Sequence, residues 1–234
     1  MDKMKSLTEK VTEVPLRIDF AGGWLDVPSL SRKGGYIVNC AISPLVSLVE
    51  WNYQQQSGLG GSAAWAILNG KSGFEAEIAL GAGWQDPAVI EETGVCIWKS
   101  GKTHKLELKQ KVDWLQDKLA LYWTNKYHNT AELVGLPRNF EDILKAGITA
   151  KEAVEKKELQ LLGNAIMQSY TVQLAEGMKP LPKIENSIGM KYCGSGFGGY
   201  ALYLFEDKNM RNKFLQKEDT IKIEPYIKGV KNES

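Results

Sequence analysis

Gly58-Leu59-Gly60-Gly61-Ser62-Ala63-Ala64 is the stretch on which the reading of this chain turns. Clustered glycines let successive backbone N–H groups turn inward around an anion, and the small residues that follow open a helix. A helix start offers N–H groups without intrahelical partners and a partial positive charge, which suits a phosphate. Two further glycine-marked segments stand on either side. One is Pro15-Leu16-Arg17-Ile18-Asp19-Phe20-Ala21-Gly22-Gly23-Trp24-Leu25-Asp26, the other Gly194-Ser195-Gly196-Phe197-Gly198-Gly199. Each alone is a weak signal. Together they point to a phosphate-handling enzyme.

Three common glycine-loop assignments fail. The third segment matches a bare G-x-G-x-x-G, but the aromatic and aliphatic run Tyr200 to Phe205 that follows it reads as a strand, whereas a dinucleotide loop opens a helix. Gly70-Lys71-Ser72 has Trp65 where a Walker A loop needs its first glycine. The H-R-D and D-F-G elements of a protein kinase are missing from the sequence.

The totals exclude other classes. The 234 residues suffice for one large domain or two small lobes, with a core that needs no staples. Twenty-nine basic residues balance 28 acidic ones, so the net charge of +1 predicts neither a nucleic-acid nor a membrane partner. Cys40, Cys96 and Cys193 are scattered and read as reduced buried thiols, and His104 and His128 lack zinc-ligand spacing. With no apolar leader and no long apolar run, a cytoplasmic location is expected.

Local patterns set out the expected elements. Leu16–Ala21, Tyr36–Ile42 and Leu45–Tyr53 read as strands, the last two broken by Pro44. Ser62–Leu68 and Phe74–Ala82 read as short helices, and Val95–Trp98 with His104–Leu108 as a hairpin. A strand follows at Lys118–Thr124, then helical patterns over Asn125–Val134, Phe140–Ala146 and Thr149 to about Glu176, the last weakened by Gly163. The chain closes with strand Tyr200–Phe205, helix Asn209–Gln216 and strand Thr220–Glu224. Residues 1–10 are expected to fray. This order predicts an α+β protein.

Two acids stand beside Gly-Trp pairs. Asp26 follows Gly22-Gly23-Trp24, and Asp86 follows Gly83-Trp84-Gln85 and precedes Pro87. On composition alone both suit a turn, and Glu75 suits a helix surface. Taken with the three glycine segments, however, they resemble the signature motifs of the GHMP kinase superfamily, nearest its fucokinase and heptose-phosphate kinase branch. Arg17 to Asp26 is similar to the first motif, Gly83 to Asp86 to the catalytic segment, and Leu121-Tyr122-Trp123-Thr124-Asn125 to the element after it. The resemblance spans roughly residues 14 to 206.

The resemblance implies an abbreviated two-lobe GHMP-kinase architecture. A ribosomal-protein-S5-like lobe would occupy residues 10–112 and a ferredoxin-like lobe residues 113–234. It implies an ATP-dependent kinase acting on a sugar or sugar phosphate. ATP phosphates would lie on Gly58, Leu59, Gly60, Gly61, Ser62 and Ala63, with Mg²⁺ held by Ser62 and Glu75. Asp86 would be the catalytic aspartate and Arg17 its partner. Asp26, Gly23, Trp24, Gly196 and Gly198 would contact the sugar. The alternative is a reduced relative that binds sugar or nucleotide without turnover, or serves as a partner subunit.

The sequence also departs from the family pattern. Gly61 replaces the first of two serines, Pro87 stands where the branch usually has glutamine, and His128 lies near a usual arginine. Only Asn52 to Ser57 link the third expected strand to the phosphate loop. Six residues reach at most about 20 Å, too few to build an adenine pocket as well. Either base selectivity is weak, or residues 95–110 or a second copy in a homo-oligomer complete the site.

Overall fold

The computed structural model describes residues 11–127, 133 and 135–229. The expectations for residues 1–10 and for His128 lie outside them. So does most of the helix expected over Asn125–Val134, and its described start, Asn125 to Tyr127, is not helical.

Two antiparallel sheets carry the fold. The first contains β1 (Glu13–Ala21), β2 (Tyr36–Ser47), β3 (Val95–Lys99) and β4 (Leu106–Gln110) in sequence order, and three short helices lie between β2 and β3: α1 (Gly61–Leu68), α2 (Gly73–Ala79) and α3 (Gln85–Glu92). The second sheet begins with β5 (Leu119–Trp123). Helices α4 (Phe140–Lys156) and α5 (Leu159–Ala175) follow, then β6 (Ser187–Tyr192), β7 (Tyr200–Phe205), α6 (Lys208–Phe214) and β8 (Thr220–Lys222). Its order β6-β7-β5-β8 is the ferredoxin-like arrangement. A last short strand, β9 (Glu224–Pro225), returns to the first sheet and pairs with β2. One hydrophobic core runs from Ile18, Phe20 and Ile97 of the first sheet, through Ala150 and Ile166 of the helix pair, to Leu121 and Leu202 of the second.

Four expectations need correction. First, β2 continues through Pro44 rather than breaking there. The β1–β2 register slips between Val14 and Leu16, opposite Val46 and Ile42, so Pro15 and Pro44 both fall in the irregularity, where neither is needed as a ladder donor. Second, the break expected between Ala146 and Thr149 falls instead at Lys157, whose left-handed conformation (φ 57°) ends α4, so that α4 and α5 are 17 residues each. A lysine gives no sequence cue for that turn. Third, Asp86, which on composition suits a turn, lies in the first turn of α3, where Pro87 is tolerated because a missing N–H costs nothing there. Fourth, the expected order lacks β6, which forms over Ser187–Tyr192 with Gly189 inside it.

Gly163 has a packing role rather than a weakening one. A Cβ there would stand 2.5 Å from the Ile188 carbonyl oxygen, so only glycine lets α5 lie directly on β6. That approach brings Lys191 of β6 against β1.

Candidate active site

A cavity of about 760 Å³ opens where β1, α1, α2 and α3 meet the third glycine loop. Arg17 of β1 and Asp86 in the first turn of α3 lie on its wall. Arg17 Nε donates to Asp86 Oδ1 at 2.6 Å and its terminal NH2 to Oδ2 at 2.9 Å, a bidentate pair between buried side chains. The other terminal nitrogen donates to the Gly58 carbonyl at 2.6 Å and lies 3.5 Å from Asp19. Burial works against the guanidinium charge, yet Asp86 and Asp19 outweigh it and raise the Arg17 pKa above its ordinary value. The charge on Arg17 is therefore permanent.

Asp19 and Lys191, both buried, form a second ion pair behind this one. Lys191 also donates to the Asp19 carbonyl at 3.1 Å, and the Gly194 N–H donates to Asp19 Oδ1 at 3.1 Å. Burial would push the Asp19 carboxyl up, but Lys191 and Arg17 overcome it and hold the pKa below the usual range. The pair ties the first motif to the third glycine loop. A Cβ at Gly194 would meet Gly58 Cα at 2.9 Å, so the third glycine loop rests on the second.

The glycine loop Gly58–Gly61 closes tightly on the Arg17–Asp86 pair. Gly60 caps α1 in a left-handed conformation (φ 76°), and a Cβ there would stand 3.2 Å from Arg17 Cγ and 3.3 Å from Asp86 Cβ. The Arg17 N–H donates to the Leu59 carbonyl, which holds the loop's acceptor side against β1. The first helical bond runs from the Ala64 N–H to the Gly60 carbonyl, so the N–H groups of Gly61, Ser62 and Ala63 have no intrahelical acceptor. Gly58, Gly60, Gly61 and Ser62 line the cavity, whereas Leu59 and Ala63 are buried behind it and contribute backbone only.

The acid nearest Ser62 is not the expected one. Glu75 is exposed and does not line the cavity. Two residues later on α2, Glu77 is buried, lines the cavity and accepts a hydrogen bond from the Ser62 hydroxyl. The correction follows from helix geometry. Two residues rotate the side chain by about 200°, from the solvent face to the cavity face. Burial, then Asp86, push the Glu77 carboxyl up to about 7.

At the other end Asp26 lies over the start of α3. It accepts from the Gln85 side-chain amide at 3.0 Å and from the Gln85 N–H at 3.4 Å. A Cβ at Gly83 would stand 1.8 Å from Asp26 Oδ2, so the glycine before Trp84 makes room for the carboxyl. Burial, then Asp86, push Asp26 up to about 7. Gln85 Oε1 is buried with no hydrogen-bond partner among the described residues. Gly23 and Trp24 line the same cavity, and the Arg138 guanidinium covers the Trp24 ring at 3.7 Å.

Two expected substrate contacts are not brought to the cavity. Gly196 and Gly198 do not line it. A Cβ at Gly196 would meet Met178 at 2.4 Å, and one at Gly198 the Lys126 carbonyl oxygen at 2.7 Å, so both serve chain packing. Gly194 and Ser195 of that loop do line the cavity. Residues 95–110 do not, but the short linker does, through Gln54, Gln55, Gln56 and Ser57.

Sequence reasoning gave no role to Asp19, Lys191, Glu77 or Gln85. Asp19 and Gln85 stood inside quoted motifs, where a buried polar residue in an apolar strand and an amide beside the acid were available cues. Lys191 and Glu77 had no local cue. Among the described residues, no cluster of three or more His, Cys, Asp or Glu side chains stands ready to hold a metal, and no helix is long and apolar enough to cross a membrane. The paired oxygens of Ser62 and Glu77 still suit Mg²⁺, which typically takes one or two protein oxygens and completes its shell with water and phosphate.

No protein-family model matches this chain, and no curated protein sequence matches it. Solved structures do. A D-glycero-D-manno-heptose 1-phosphate kinase from Bacteroides thetaiotaomicron is similar at TM-score 0.64 and 16% identity, over 92% of this chain and 95% of that one. The Methanococcus jannaschii mevalonate kinase is similar at TM-score 0.66 and 17% identity, over 92% and 98%. Streptococcus pneumoniae phosphomevalonate kinase, in complex with phosphomevalonate and AMPPNP, is similar at TM-score 0.66 and 12% identity, over 92% and 99%. The chain therefore has the α+β GHMP-kinase fold.

Proposed function

We propose that this protein is an ATP-dependent small-molecule kinase of the GHMP type that phosphorylates a hydroxyl of a sugar or sugar phosphate. The observation that carries the reading is the Arg17–Asp86 pair, buried beside the Gly60 turn on the wall of a cavity large enough for both substrates.

The free N–H groups at the start of α1 bind the nucleotide phosphates. Asp86 spends one lone pair on each oxygen to hold Arg17 and keeps another on each, enough to accept a hydrogen bond from the substrate hydroxyl. As the hydroxyl oxygen bonds to the γ-phosphorus, the bond to the β-phosphate oxygen breaks and ADP leaves, while the hydroxyl proton passes to Asp86 or to water. Arg17, fixed by Asp86, Asp19 and the Gly58 carbonyl, presents constant positive charge where the phosphoryl moves. Mg²⁺, held at Ser62 and Glu77, would supply further charge neutralisation on the phosphates. Asp26 and Gln85, both on the cavity wall, engage the sugar. The phosphate-binding elements belong to the first lobe, and the third glycine loop belongs to the second.

The test is a coupled ADP-release screen over fucose, galactose, mannose and heptose phosphates. Acceptor-dependent ADP release supports the kinase. Nucleotide or sugar binding with no turnover on any acceptor would reduce the protein to a binder.

A further inference from the structure

Trp65 keeps 55% of its surface exposed although its neighbours on α1, Ala63, Ala64, Ala66 and Leu68, are buried. It stands four residues after Gly61, so it lies on the same helix face, about 5–6 Å along the axis from the phosphate-binding end. Trp51 lies beside it, with ring centroids 6.2 Å apart and planes at 64°, an edge-to-face contact. Trp51 also approaches the loop itself: a Cβ at Gly61 would be 3.5 Å from its Cζ2. Both indoles line the large cavity, together with Leu48 and the linker glutamines. Next to the glycine loop, one helical turn away, stands an aromatic surface that the described residues leave more than half exposed.

We propose that Trp65, braced by Trp51, is the platform on which the nucleoside base stacks, and that the base is held by its face and not read at its edge. This rests on the kinase reading above. Edge discrimination needs rigidly held donors and acceptors. The polar groups of the linker do not provide them. The Gln54 N–H is spent on the Tyr200 hydroxyl at 3.2 Å, and its side-chain oxygen accepts from the Tyr127 hydroxyl at 3.5 Å. Gln55 and Gln56 are exposed, and no hydrogen bond among the described residues fixes their side chains. Stacking tolerates any base and favours the larger purine surface. The site therefore takes ATP and GTP alike, and pyrimidine nucleotides more weakly. The short linker thus contributes to a base site of reduced specificity, and no neighbouring copy is required to cover the base.

Calorimetric titration of the full chain with Mg²⁺ complexes of ATP, GTP, UTP and inorganic tripolyphosphate tests this, using wild type, Trp65→Ala and Trp65→Phe. The wild type should bind ATP and GTP within about threefold of each other, and tripolyphosphate about 5- to 100-fold more weakly, the worth of one stacked base. Trp65→Ala should bring ATP down to the tripolyphosphate level and leave tripolyphosphate itself unchanged, while Trp65→Phe keeps most of the ATP affinity. Unchanged ATP affinity in Trp65→Ala overturns the proposal, as does an equal loss for tripolyphosphate. So does a wild-type preference for ATP over GTP above about 30-fold, which stacking alone does not supply. If wild type binds tripolyphosphate as well as ATP, the phosphate site stands and the platform fails. If it binds neither, the kinase reading fails with it.

Discussion

Asp86→Asn should lower turnover far more than stability if Asp86 acts in phosphoryl transfer. The amide is isosteric and still accepts one guanidinium hydrogen bond, so the 2.6 Å contact with Arg17 Nε survives. The 2.9 Å contact is lost, because an amide NH₂ would face the Arg17 NH2 donor. Breaking a buried pair outright costs about 3–5 kcal/mol. Here Arg17 retains the Gly58 carbonyl at 2.6 Å and Asp19 at 3.5 Å, so one charged hydrogen bond is the measure, about 2–3 kcal/mol. For a chain of this length that lowers Tm by roughly 4–12 °C. Turnover should fall further, by about 10²–10⁴-fold or roughly 3–5 kcal/mol of barrier, since the hydroxyl loses the anionic acceptor that orients it. The assay is ADP release at 25 °C with the best acceptor from the screen, beside a thermal melt and nucleotide titration of the same preparation. Unchanged kcat in a folded variant would remove Asp86 from the mechanism. A variant that loses nucleotide binding and melts far below the expected range would show a structural role instead.

Three further outcomes follow from the same geometry. Glu77→Gln should raise the Mg·ATP concentration needed for half-maximal rate at least about tenfold, whereas Glu75→Gln, on the solvent face, should leave it unchanged; equal effects would refute the assignment of the metal site to Glu77. Gly60→Ala forces a Cβ into the Arg17–Asp86 pair at φ 76° and should cost about 1–3 kcal/mol of stability, with loss of phosphate binding, read by melts with and without tripolyphosphate. Asp26 and Glu77 titrate near 7 when folded and near 4 when unfolded, so the folded state holds extra protons between those values. Ligand-free stability should fall as pH rises from about 4 to about 7 and level off above it. Asp26→Asn should flatten that slope and raise Tm at pH 8, and an unchanged slope would show that Asp26 is not buried as described.

The electrostatics of the site have a direction. Asp26, Glu77 and Asp86 share one cavity, and Arg17, paired with Asp86, is the cation that lines it with them among the described residues, since Lys191 is committed to Asp19 behind it. Two of the three carboxyls are pushed up because burial and the neighbouring Asp86 make a further negative charge costly. Such a site favours incoming positive charge beside Glu77 and hydroxyl-rich ligands beside Asp26.

How much was legible in the sequence depended on whether the cause was local. The glycine turn at Gly58–Gly61, the helix start at Ser62 and the strand ending at Ala21 follow from conformational freedom and short-range pattern, and the structure has each of them. So does the α+β order, because apolar periodicity is set by the residues of each element. The contacts between elements were not legible. Nothing near Glu75 or Glu77 tells which faces α1, because that depends on how α2 is rotated against it. Lys191 meets Asp19 across 172 positions, and only the approach of α5 to β6 at Gly163 brings the strand there. The resemblance implied ligand contacts for Gly196 and Gly198, but glycine permits close approach without saying to what, and the tertiary structure supplied Met178 and Lys126. Backbone permission is written one residue at a time. Which surface fills the permitted space is decided by packing between segments far apart in the chain.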